Sequence, residues 1–235
     1  MAVSSPTWID GDRIPAEGGC ILVLNHISHV DPLVSADFVL AHGRLPRYLA
    51  KSGLFTSNRF VAAVLKSASQ IPVERLTANA IGAYDAAVAA VLEGECVVVY
   101  PEGTLTRDPD LWPMRGKSGA ARIALATGAP VIPIGMWGAH HVLPPYSKRP
   151  RLFPRTEVTV KVGDQVQYQD LRVLEPTPAV VQEMTDRIMA AIVTIVEDLR
   201  GETAPAKRFD PRRAGMKLIG NPNEPEKKRK WGKSR

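Results

Sequence analysis

The chain has little cysteine, few aromatic residues and no long apolar run, and each shortage excludes something. Only Cys20 and Cys96 are present among 235 residues, each inside an apolar stretch (GGCILVL and GECVVVY). Two such residues exclude a disulfide scaffold and are expected to be buried free thiols in a reducing compartment. The longest stretch without Lys, Arg, Asp or Glu runs from Ile123 to Ser147 and contains Gly128, Pro130, Pro133, Gly135, Gly138, Pro144 and Pro145. A membrane-crossing helix needs about 20 consecutive apolar residues. Here Gly and Pro interrupt repeatedly, so the stretch reads as helix end, turn and strand, and no transmembrane span is expected. The opening MAVSSPTWIDGDR is polar where a secretory leader is basic and then apolar, so no signal peptide is expected. Several site motifs are also missing. There is no G-x-S-x-G, no G-x-G-x-x-G and no H-E-x-x-H, and Gly116-Lys117-Ser118 is not a P-loop because position 111 is Leu.

What remains is an ordinary globular composition, 45% apolar and 23% charged, long enough to bury a sizeable core. The net charge of +6 is uneven. From Ala206 onward there are eleven Lys/Arg against three Asp/Glu, a net +8, and the rest of the chain carries −2. We therefore expect one domain over residues 1–203 and a basic, largely disordered tail over 204–235, ending EKKRKWGKSR. Such a tail suits an anionic membrane surface, and Trp231 favours that partner over nucleic acid. Nucleic-acid binding through the tail is a remote alternative.

Strands and helices alternate along the domain. Cys20–Leu24, Tyr48–Ala50, Cys96–Tyr100, Val131–Ile134 and Glu157–Val162 read as strands. Pro32–Ala41, capped by Asp31, and Arg59–Ala68, Ala78–Leu92, Ser118–Thr127 and Thr177–Leu199 read as helices. The fold class is α/β.

Four segments carry chemistry. Asn25-His26-Ile27-Ser28-His29-Val30-Asp31 follows a buried strand. Histidine is the commonest base for a hydroxyl proton at neutral pH, and a carboxylate on its other nitrogen fixes the tautomer. On one continuous helix, at roughly 100° per residue, His26 and Asp31 lie about 140° apart, so their pairing requires a turn, which Pro32 favours. Tyr100-Pro101-Glu102-Gly103-Thr104 follows another strand, at the carboxyl edge where α/β sheets collect ligands, with Arg107, Arg115 and Lys117 close behind. Ile71–Arg75 ends in an arginine whose planar fork suits phosphate. Val131–Ile134 is an apolar strand containing a proline. Each segment alone also has an ordinary structural explanation, as a core histidine, a polar loop, a surface arginine or a buried strand.

Together, in this order and spacing, the four resemble the blocks of the glycerolipid acyltransferase family, most closely the 1-acylglycerol-3-phosphate O-acyltransferases. Those blocks are N-H-x-x-x-x-D, a block ending in Arg, P-E-G-T, and an apolar block with a central proline. The resemblance runs from about Ile9 to Val166 and implies a glycerol-3-phosphate acyltransferase-like single α/β domain, with a central mixed sheet flanked by helices. It implies transfer of an acyl group from an acyl-coenzyme A or acyl-carrier-protein thioester to a glycerophosphate hydroxyl, giving phosphatidic acid in phospholipid synthesis. His26 is then the general base and Asp31 its orienting partner. Arg75, Glu102, Gly103 and Thr104 would hold the acceptor, with Lys51 a further candidate. No metal or cofactor beyond the thioester donor is expected. Two departures stand out. Leu105 occupies the place of the usual Arg after E-G-T, with Arg107 the expected substitute, and Ile27 replaces a commoner polar residue. Alternative acceptors are glycerol 3-phosphate, another lysophospholipid or a lipid-linked sugar. The expected location is peripheral, on the cytoplasmic face of the membrane, held by apolar residues in Leu54–Val64 and by the basic tail.

Overall fold

A computed structural model describes residues 4–51, 70–73, 80–147, 149–151, 153–216 and 221–222. Its centre is a seven-stranded sheet of β1 (Ser4–Ile9), β2 (Cys20–Leu24), β3 (Pro46–Lys51), β4 (Ile71–Val73), β5 (Cys96–Val99), β6 (Val131–Trp137) and β7 (Thr156–Val162). The spatial order is β1-β7-β6-β2-β5-β3-β4. Among the described strands only β6 and β7 pair antiparallel; the other neighbours are parallel, so the sheet is mixed. Among the described residues the α-helices are α1 (Asp31–Ala41), α2 (Ala80–Leu92), α3 (Gly119–Thr127), α4 (Ala139–Val142), α5 (Gln169–Arg172) and α6 (Pro178–Arg200).

The apolar runs of β2 and β5 are continuous because both sheet faces are covered. Successive strand residues point to opposite faces. Ile21, Val23, Val97 and Val99 pack with Ala87 and Val91 of α2, Ala121 and Ala124 of α3, and Met184, Ile188 and Ile192 of α6. Cys20, Leu22, Leu24, Cys96 and Val98 pack with Val34, Phe38 and Val39 of α1. Cys20 and Cys96 are buried free thiols, as expected, opposite each other in register. The long helix α6 starts at Thr177, whose side chain accepts from the Val180 N–H, and ends at Gly201 with φ 64°.

Three local features differ from the sequence reading: the length of β6, the presence of β1 and the place of Asp31. β6 continues past Ile134 to Trp137, because Gly135 lets α6 approach. A Cβ there would lie 2.5 Å from Cγ2 of Ile195. Pro133 is tolerated inside β6 because its carbonyl faces the β7 side, accepting from the Gly163 N–H, and its nitrogen faces the same way. The β6–β7 ladder begins only at Ile134, so no rung needs that missing N–H. β1 was not expected: SSPTWI has no clean apolar alternation, and it sits at the sheet edge where Pro6 costs no ladder bond. Asp31 is the first residue of α1 rather than its cap, which is Val30. Its carboxylate is turned back into the preceding loop.

Residues 204–216, which composition assigns to the tail, lie against the domain. The Ala204 N–H donates to Glu197 Oε1 at 2.8 Å, Arg208 pairs with Asp186, and the Phe209 carbonyl accepts from the Arg115 N–H at 2.9 Å. The apolar segment Leu54–Val64, the helix expected over Arg59–Ala68 and the final basic run lie outside the described residues. Among the described residues no helix is long and apolar enough to cross a membrane.

Candidate active site

β2, β5 and β6 are parallel neighbours, so their carboxyl ends open at one edge of the sheet. This brings together segments far apart in sequence. β2 leads into Asn25–Asp31, and β5 leads into Tyr100–Thr104.

Asn25 extends the sheet with its side chain. Its Nδ2 donates to the Met136 carbonyl at 2.9 Å, and its Oδ1 accepts from the Met136 N–H at 2.8 Å. The fully buried amide thus continues the β2–β6 ladder by one rung and sets where the chain departs for the turn.

The turn is organised around Asp31. Its Oδ2 accepts from the Ile27 N–H at 2.7 Å and the Ser28 N–H at 2.8 Å, and lies 2.9 Å from His26 Nδ1. Asp31 is completely buried; these charge-assisted bonds replace the hydration of Oδ2, while Oδ1 is buried with no hydrogen-bond partner among the described residues. The turn that the helical geometry demands is therefore the loop 26–30, closed by the carboxylate itself. With Nδ1–H directed at Asp31, Nε2 is the basic nitrogen of the ring. Ser28 Oγ donates to the Leu143 carbonyl at 2.7 Å and fastens the turn to the segment after α4.

The P-E-G-T loop clamps the same turn from the other side. The His26 N–H donates to Glu102 Oε1 at 3.0 Å, and the His26 carbonyl accepts from the Thr106 N–H at 2.7 Å. The second Glu102 oxygen accepts from the Met114 N–H at 3.0 Å. Burial pushes the Glu102 carboxyl up to about 8, against the downward pull of the Met114 and His26 N–H bonds. Glu102 is thus a buried positioning group rather than a surface acid. Gly103 turns the loop at φ 68°, and a Cβ there would lie 2.6 Å from Lys117 Nζ.

Tyr100, which the sequence did not single out as a site residue, stacks on the imidazole. The His26 and Tyr100 rings have centroids 4.3 Å apart and planes 29° apart. The Tyr100 hydroxyl lies 3.0 Å from Ser35 Oγ, which also contacts the Tyr48 hydroxyl at 2.7 Å and donates to the Asp31 carbonyl at 2.9 Å. Its only sequence signal was adjacency to the P-E-G-T block. Burial and the neighbouring His26 hold His29 below the usual histidine range.

Next to this clamp is a cavity of about 300 Å³ whose lining includes Glu102, Thr104, Arg107 and Lys117. Leu105 is in the core at 2% exposure, whereas Arg107, two residues on, lines the cavity. The structure therefore brings together His26, Asp31, Glu102, Gly103, Thr104 and Arg107. Arg75 lies outside the described residues, and Lys51 is described only as the backbone end of β3. Among the described residues no group of His, Cys, Asp or Glu is arranged to hold a metal.

The chain is thus a parallel-centred α/β sheet with a His–Asp pair clamped at its carboxyl edge, and comparison places the chain in a family. Residues 7–137 match the family described as acyltransferase, and the chain belongs to that family. It is 29% identical over 126 residues to a chloroplastic 1-acyl-sn-glycerol-3-phosphate acyltransferase of Brassica napus, covering 53% of this chain and 35% of that protein. It is 29% identical over 131 residues to a 1-acyl-sn-glycerol-3-phosphate acyltransferase of Borreliella burgdorferi, covering 55% of this chain and 50% of that protein. The matches thus span half or less of those relatives. The fold is that of the 1-acyl-sn-glycerophosphate acyltransferase PlsC of Thermotoga maritima, at TM-score 0.62 and 22% identity, over 86% of this chain and 75% of that one.

Proposed function

We propose that the protein transfers a fatty acyl group from an acyl thioester to the free hydroxyl of a glycerophosphate, with 1-acylglycerol 3-phosphate as acceptor and phosphatidic acid as product. The observation that carries this reading is the 2.9 Å contact between His26 Nδ1 and a fully buried Asp31 carboxylate. Family membership and the names of the relatives support the reaction and the acceptor class.

Asp31 fixes the imidazole with Nε2 basic and stabilises the imidazolium that forms. The acceptor hydroxyl loses its proton to Nε2 as its oxygen attacks the thioester carbonyl carbon. The tetrahedral oxyanion then collapses, the C–S bond breaks, and the leaving thiolate takes the proton back from the imidazolium. No acyl-enzyme is needed. Cys20 and Cys96 lie inside the sheet, and the Ser28 hydroxyl is engaged with Leu143, so the scheme uses none of them as a nucleophile. Thr104 and Arg107 hold the acceptor phosphate, with Arg107 in the role that the family's E-G-T-R arginine implies; Arg75 and Lys51 complete the set. The donor is acyl-coenzyme A or acyl-carrier protein. The enzyme works at the cytoplasmic membrane face, attached peripherally.

The test is thiol release from a long-chain acyl-coenzyme A and from an acyl-carrier protein, with lysophosphatidic acid, glycerol 3-phosphate, a lysophospholipid, a lipid-linked sugar or no acceptor. Release that requires lysophosphatidic acid and yields phosphatidic acid is the expected result. Release without acceptor makes the protein a thioesterase, and acylation of another acceptor corrects the substrate.

A further inference from the structure

The cavity has a wall that none of the four sequence blocks supplies. After Gly201 the chain runs back along the domain and reaches the segment 114–118, which follows the P-E-G-T loop. There the Arg115 N–H donates to the Phe209 carbonyl, and Arg115 Nη1 pairs with Asp210 Oδ2 at 3.0 Å. Two residues on, the Lys117 N–H donates to the Pro101 carbonyl at 2.8 Å. Arg115–Lys117 is thus strung between the C-terminal segment and the P-E-G-T loop. Pro211 is buried in this arrangement, and Asp210 Oδ1 accepts from the Arg212 N–H at 2.9 Å.

Small residues let these pieces close on one another. A Cβ on Gly116 would lie 2.7 Å from Met189 Cγ of α6, so the strand of chain bearing Lys117 passes tight against that helix. The ammonium of Lys117 rests on Gly103.

The electrostatics of the cavity are one-sided. Arg107, Arg115, Lys117 and Arg212 line it, against the carboxyls of Glu102 and Asp210. Asp210 is paired with Arg115, and Glu102 is directed at two backbone N–H groups. Four cationic side chains against two carboxyls thus line a space the size of a small polar headgroup, together with the Thr104 and Ser118 hydroxyls. A planar guanidinium, a compact ammonium and hydroxyl donors together suit a phosphate dianion.

We propose that the segment 208–213 is a working part of the substrate site, and that Arg212 and Lys117, with Arg107, form a subsite for a phosphate monoester. Two substrates of the proposed reaction carry that group: the glycerophosphate acceptor and the 3′-phosphate of coenzyme A. Arg107 points to the acceptor as the one it takes, an assignment that rests on the acyltransferase reading; the subsite itself does not.

Calorimetric titration of the full chain with glycerol 3-phosphate and, separately, with adenosine 3′,5′-bisphosphate tests this. Wild type should bind one of the two. Lys117→Ala and Arg212→Ala should each weaken that binding about tenfold, the loss of one charge-assisted contact. Arg212→Lys should recover part of it, and circular dichroism should be unchanged throughout. In turnover, the KM of the matching substrate should rise by a similar factor while kcat stays within about twofold. Wild type that binds neither probe, or variants that bind as wild type does, would overturn the subsite. Binding lost in the variants, in a protein that acylates no acceptor, would leave the subsite standing and remove the acyltransferase reading instead.

Discussion

The backbone N–H of His26 hangs from the carboxyl of Glu102, 3.0 Å away and 76 positions along the chain. The two loops meet because β2 and β5 are parallel neighbours in register. Glu102 also holds the Met114 N–H, so one buried carboxyl fixes the histidine turn, its own loop and the start of the cavity wall together.

That carboxyl sets a pH dependence of stability. Glu102 is pushed up to about 8 in the folded chain from an ordinary value of 4.5, chiefly by burial. Between those values the folded chain keeps a proton that the unfolded chain releases. Its contribution is therefore fully present below about pH 4.5 and is lost as pH rises through about 8. Urea midpoints measured from pH 5 to 9 should fall with pH more steeply in wild type than in Glu102→Gln. At pH 5, where Glu102 is protonated in the folded chain, the variant should be weaker by only about 1 kcal/mol, since the amide turns an NH2 toward one of the two N–H donors where the acid keeps a hydroxyl oxygen. Equal slopes would show that Glu102 does not titrate in this window.

Asp31→Asn keeps the size of the side chain but not its charge. The amide no longer accepts from Nδ1–H and the two backbone donors as a carboxylate does, so the imidazole loses its fixed tautomer. The rate of acyl transfer should drop about a hundredfold or more, with the melting temperature lowered by the weakened turn. An unchanged rate would mean that Asp31 only builds the turn.

Tyr100 positions the imidazole by stacking. Tyr100→Phe keeps the ring and removes the Ser35 contact, so stability should fall by about 1 kcal/mol with kcat within a few-fold. Tyr100→Leu removes the platform and should lower kcat further while leaving KM nearly unchanged. Equal kcat in both variants would remove the positioning role.

The basic run after Glu226 should draw the protein to anionic vesicles, at about 1 kcal/mol per Lys or Arg near the surface. Cosedimentation with phosphatidylglycerol vesicles should fall steeply with salt and disappear on deleting residues 223–235. Retention by RNA and not by vesicles would give the tail a nucleic-acid partner instead.

Much of this was legible in sequence. β2 and β5 announce themselves as apolar runs because both faces are buried, and α6 shows its buried Val181, Met184, Ile188 and Ile192 at helical spacing. A continuous helix would hold His26 and Asp31 about 140° apart, so their pairing needs a turn, and the Asp31 carboxylate closes one. Other features left no periodic signal. β1 depends on pairing with β7, a partner 152 positions away at Ser4↔Thr156. The role of Asn25 is to imitate a strand residue, which only the position of Met136 reveals. The segment 204–216 is charged and proline-containing, and it docks through pairwise bonds to Glu197, Asp186 and Arg115, which composition cannot show.

The central claim is that His26 is the base for direct acyl transfer. The most direct measurement is phosphatidic acid formed from labelled acyl-coenzyme A and lysophosphatidic acid, by wild type and by His26→Ala at saturating substrate. The account predicts a loss of about 10²–10⁴-fold in the variant, with the far-ultraviolet spectrum and melting temperature close to wild type. Turnover by His26→Ala within a few-fold of wild type would contradict it.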